Sequence, residues 1–69
     1  MASLKTKFGL RLKIIRTDRG LTQEQLAELL DVTIDTISKM ERGVHGPRFE
    51  LLERIARALK TPVHAFFQF

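Results

Sequence analysis

The segment GLTQEQLAELLDVTIDTISKMERG, residues 20–43, decides how this chain folds. Thr22 followed three residues later by Gln25 reads as a capping box that opens a helix, with Leu21 placed to staple onto Leu26. That helix is about two turns long and gathers Leu26, Ala27 and Leu30 on its buried side. Asp31 and Val32 follow, and Thr33 opens the next helix as its N-cap. At about 100° per residue, Ile37 and Met40 form an inward seam with Thr33 and Thr36 beside it, while Ile34, Asp35, Ser38, Lys39 and Arg42 collect on the other side. About three residues between two short helices leave no room for an antiparallel hairpin, so the helices must cross steeply. Ile34 then lies on the wet face, with no core of its own.

Outward from this pair the chain is punctuated by Gly20, by Gly43 with Gly46 and Pro47, and by Thr61 with Pro62. A first helix runs from near Ser3 to Arg19, with Leu4, Phe8, Leu12 and Ile15 on one stripe and Gly20 as its stop. Leu10 and Ile14 fall on nearly the opposite side, as scattered exposed apolar residues or as a contact surface. A fourth helix in PRFELLERIARALK puts Phe49, Leu52, Ile55, Ala56 and Leu59 on one face, with Pro47 near its start. A fifth begins with Thr61 as cap and Pro62 at its first position, then carries Val63, Phe66 and Phe67. No segment shows strand alternation, so the sequence predicts an all-α, compact five-helix domain spanning residues 1–69.

Sixty-nine residues bury only about 60% of the surface of the unfolded chain, which demands a compact and mostly local core. The 43% hydrophobic and 29% charged content lies within the globular range. Cysteine is absent, so neither disulfides nor thiolate metal sites support the fold. No apolar run approaches the roughly 18–20 residues of a membrane span, and no h-region follows the N-terminus; the expectation is a soluble, cytoplasmic protein. A net charge of +4 suits a polyanionic partner, and its distribution is uneven. Residues 1–20 carry +5, residues 21–42 carry −3 and residues 43–69 carry +2.

Gln23, Leu26-Ala27, Val32, Ile37, Met40 and the closing Glu41-Arg42-Gly43 together resemble the helix-turn-helix of the Cro and lambda-repressor-like (Xre) family of DNA-binding proteins, over about residues 22–42. The resemblance continues through PRFELLERIARALKTPVHAFF and covers the chain from about Phe8 to Phe67. Ala27 must be small where the motif helices cross. The turn position that this family usually fills with glycine is Asp31 here, a residue that tolerates the left-handed region at modest cost.

The resemblance implies sequence-specific binding of double-stranded DNA by a transcriptional regulator, expected to be a repressor, with the helix at about 33–42 in the major groove. Base reading then falls to Ile34, Asp35, Ser38 and Lys39: lysine donates to guanine, aspartate accepts from cytosine, and an apolar side chain packs on a thymine methyl. Asp35 either meets a cytosine amino group or pairs with Lys39 one turn on. Phosphate contacts fall to Gln23 with the free N–H groups beside it, and to Thr33, Arg42 and Arg48. Arg16 and Glu41 correspond to a partly buried ion pair in related repressors. A homodimer on a near-palindromic operator is also implied, with the C-terminal HAFFQF, above all Phe69, as its natural surface.

The rival reading is a protein-interaction module on the same scaffold, favoured by the acidic 21–42 region and the spare Leu10 and Ile14. An enzyme is not expected: His45 and His64 are far apart, no glycine-rich phosphate loop exists, and the carboxylates lack a cleft. No metal, cofactor or small-molecule ligand is called for.

Overall fold

The computed structural model describes residues 2–69. Four α-helices, α1 (Leu4–Asp18), α2 (Gln23–Leu30), α3 (Ile34–Glu41) and α4 (Phe49–Ala58), are followed by a 3₁₀ turn at Val63–Phe67. Local chemistry accounts for the helix starts. Ser3, Thr22 and Thr33 each cap a helix by accepting the backbone N–H three residues on, and Gln25 returns the bond to the Thr22 N–H to complete a capping box.

All four helices end alike. Gly20, Asp31, Gly43 and Lys60 take the left-handed conformation, and the N–H groups of Leu21, Val32, Val44 and Thr61 reach back to carbonyls one turn earlier. Asp31 holds φ 56° and ψ 46°, so it does the work of the usual turn glycine.

Phe8, Leu12 and Ile15 of α1, Leu26, Ala27 and Leu30 of α2, Ile37 and Met40 of α3, and Leu52, Ile55, Ala56 and Leu59 of α4 form one core with Phe66. Gly9 permits the tightest approach within it. A Cβ there would lie 2.3 Å from the Met40 carbonyl oxygen and 2.7 Å from that of Glu41, so α1 crosses the end of α3 backbone to backbone.

Three expectations need correction. The fifth helix is a 3₁₀ turn whose cap position is Pro62, not Thr61; it is entered by the three-residue step from the Ala65 N–H to the Pro62 carbonyl. Leu4 and Phe49, assigned to buried stripes, are 61% and 83% exposed. Each occupies the first position of its helix, one turn beyond the region the core reaches. The aromatic contacts of Phe8 go instead to Phe66 and Phe67, at 5.9 and 5.5 Å between ring centroids. Among the described residues no helix is long and apolar enough to cross a membrane.

Candidate nucleic-acid interface

The α2–α3 unit is held by a polar lock at the end of α3. Arg16 Nε lies 2.5 Å from Glu41 Oε2 and Arg16 Nη2 lies 3.1 Å from Oε1, both side chains being almost fully buried. The remaining arginine donor, Nη1, goes to the Leu21 carbonyl at 2.7 Å. Gln23 Nε2 donates to Glu41 Oε1 at 3.0 Å. One carboxylate thus ties α1, the entry to α2 and the last turn of α3, with every buried side-chain polar atom among the described residues satisfied.

This lock fixes how α3 faces outward. Ile37, Met40 and Glu41 point inward and are buried. Ile34 is 46% exposed. Asp35 is exposed and pairs with Lys39 one turn on, Oδ2 to Nζ at 3.0 Å, which neutralises locally the carboxylate that would repel a phosphate. The Arg42 Nε–H is shared between the Ser38 carbonyl and hydroxyl oxygens at 3.3 and 3.2 Å. Thr33 Oγ1 accepts the Thr36 N–H at 3.1 Å and lies 2.9 Å from Thr36 Oγ1, so its side chain caps the helix. Arg48 sits at the N-cap of α4, exposed and without a side-chain capping bond. Ile34, Asp35, Ser38 and Lys39 thus share one helix, Thr33 and Arg42 cap its two ends, Gln23 lies at its rear against Glu41, and Arg48 caps the start of the following helix.

The basic N-terminal segment is less available than its charge suggests. Arg16 is buried in the lock; Arg11 donates to the Ala65 carbonyl at 3.2 Å, and Arg19 to the Leu59 carbonyl at 2.8 Å and the Thr61 hydroxyl at 3.1 Å. Arg54 donates to the Leu30 carbonyl. Arg19 and Arg54 cap the open C-terminal ends of α4 and α2. Sequence reading missed these roles: each partner lies 24–54 residues away along the chain, and an arginine capping a carbonyl carries no local signature.

With the geometry in hand, comparison with known proteins gives a consistent result. Residues 7–66 match the family model of the helix-turn-helix domain. The chain belongs to this family and is an Xre-like helix-turn-helix domain. This helix-turn-helix domain is 37% identical over 60 residues to an uncharacterized HTH-type transcriptional regulator of Sinorhizobium medicae, covering 87% of the chain and 43% of that protein. It is 40% identical over 57 residues to the immunity repressor protein of Bacillus phage phi105, covering 83% of the chain and 40% of that protein. The chain therefore spans less than half the length of these two relatives. Among solved structures, the clp gene regulator ClgR of Corynebacterium glutamicum superimposes with a TM-score of 0.91 at 32% identity, over 96% of this chain and 70% of that one.

Proposed function

We propose that this helix-turn-helix domain binds double-stranded DNA sequence-specifically as the reading head of a transcriptional repressor, with α3 in the major groove. The observation that carries the reading is the division of α3. Its rear is locked by Arg16, Gln23 and Glu41, while on the other side Ile34 and Asp35 are exposed and Ser38 and Lys39 half-buried, outside the core. In the groove Ile34 meets a thymine methyl, and Ser38 and Lys39 meet base acceptors. Thr33, Arg42, Arg48 and the N-terminal turn of α2 beside Gln23 hold the flanking phosphates. No step of this reading uses catalysis, a metal or a cofactor.

Pairing of two copies through the C-terminal region would add contact area to a module of limited size. Phe69 is 62% exposed and stands edge-on to Phe67 at 6.3 Å, with Lys7 Nζ 5.5 Å from its ring centroid. A half-covered aromatic in that setting is a natural seat for a second copy.

Selection from a random duplex library, followed by salt titration of the winning sequence, tests the reading. A DNA-binding domain enriches a defined site and loses affinity steeply as salt rises, through counterion release. Failure to enrich any site favours the interaction-module reading, to which the exposed Leu10, Ile14 and Leu29 lend support.

A further inference from the structure

A serine hydroxyl inside a helix ordinarily donates back to a carbonyl in the preceding turn, and Thr17 on α1 does so, to the Lys13 carbonyl at 2.8 Å. Ser38 on α3 behaves differently. Its oxygen accepts the Arg42 Nε–H at 3.2 Å, a proton shared with its own carbonyl at 3.3 Å, and its hydroxyl proton has no acceptor among the described residues. A guanidinium beside the oxygen disfavours accepting a further hydrogen bond and leaves donation as the outward role. The terminal nitrogens of Arg42 meanwhile make no hydrogen bond among the described residues, so one side chain can hold a phosphate with its tip and the serine with its Nε.

We infer that Arg42 is a positioning residue that sets Ser38 as a hydrogen-bond donor to a guanine of the operator. A donor on the major-groove edge matches guanine, which offers N7 and O6 side by side. It matches adenine less well because the N6 amino group beside N7 is itself a donor, it meets only a donor on cytosine, and thymine offers a single acceptor, O4, beside its methyl group. The neighbouring Lys39 has one of its three donors engaged with Asp35 at 3.0 Å, whereas the single donor of Ser38 is unengaged among the described residues. The inference rests on α3 occupying the major groove, and it assigns to Arg42 a part in base selection beyond a phosphate contact.

The test compares library selections by the wild type, Ser38→Ala, Ser38→Thr, Arg42→Lys and the Ser38→Ala/Arg42→Lys double variant, with matching circular dichroism melts for all. The wild type is expected to prefer guanine at one position of each half-site by about five-fold or more, the low end of the cost of one mismatched pair. Ser38→Ala loses that preference and Ser38→Thr, which keeps the hydroxyl, retains it. Arg42→Lys keeps a cation for the phosphate but lacks the Nε–H, so it loses the preference at the same position while other positions hold. The double variant loses no more. Replacing that guanine by 7-deazaguanine weakens the wild type by a similar factor and leaves Ser38→Ala unchanged. If Arg42→Lys lowers binding to all sequences equally, or 7-deazaguanine is bound as well as guanine, the inference is overturned. An enriched site indifferent to Ser38 overturns it alone; a wild type that enriches no sequence overturns the DNA reading with it.

Discussion

Arg16 and Glu41, 25 residues apart in the chain, form a two-point ion pair whose side chains are 8% and 3% exposed. Such a pair contributes little against well-packed apolar residues of similar size, yet breaking it leaves one charge buried without a partner. Glu41→Ala should therefore cost about 3 kcal/mol of unfolding free energy. The double variant Arg16→Met/Glu41→Leu should recover much of that loss. Urea denaturation reads both; a loss under about 0.5 kcal/mol for Glu41→Ala, the scale of ordinary surface changes, would show that the pair does not hold α3.

Two effects oppose each other at Gly9. Helix propensity alone makes Gly9→Ala stabilising by about 1 kcal/mol. The added Cβ would meet the Met40 and Glu41 carbonyl oxygens at 2.3 and 2.7 Å, and backbone carbonyls of a packed helix cannot swing aside as a flexible side chain can. The clash wins. A net loss of about 2 kcal/mol is expected, seen as a lower thermal midpoint; a raised midpoint would refute the close crossing of α1 and α3.

Asp31 pays a local cost in the left-handed region at φ 56°. A carboxylate there also opposes the negative end of the α2 dipole. Asp31→Gly removes both penalties, against the larger backbone entropy of glycine in the unfolded chain. A gain of about 0.5–1 kcal/mol follows, a few degrees in the melting temperature of a domain this size. No change in DNA preference should accompany it.

Phe69→Asp puts a charge on the aromatic end proposed to pair two copies. Sedimentation should shift toward the monomer, and affinity for a two-half-site duplex should fall while a single half-site is bound as before. Unchanged behaviour in both measurements rules out a dimer at this surface.

Ile34 is 46% exposed at the first position of α3, so its truncation should cost little in folding. Ile34→Ala should weaken duplexes carrying one particular A·T pair by roughly 1 kcal/mol, the low end for a single base contact. A uniform loss across sequences, or a drop in stability, would make it a packing residue instead.

Much of this domain was legible in the sequence because its signals are local. Thr22 with Gln25, the Thr33 cap, the Gly20 stop, the left-handed Asp31 and the Ile37–Met40 seam depend on residues within a turn or two of one another, and the resemblance of the motif joined them into a fold. The tertiary structure decided what depends on distant neighbours. Leu4 and Phe49 have the right period for the core but sit where no other element covers them, so periodicity misplaced them. The last element, entered at Pro62 by a three-residue bonding step, is a 3₁₀ turn and not the α-helix its cap and period suggested. Gly9 reads as a weak helix residue until the end of α3 is brought against it. Arg11, Arg19 and Arg54 read as surface charge until helix ends and turn carbonyls from elsewhere in the chain arrive within hydrogen-bonding distance. Ile34 lies between the two cases: its outward placement follows from helical period alone, and its setting beside the Asp35–Lys39 and Ser38–Arg42 pairs took the folded helix, held from behind by Glu41.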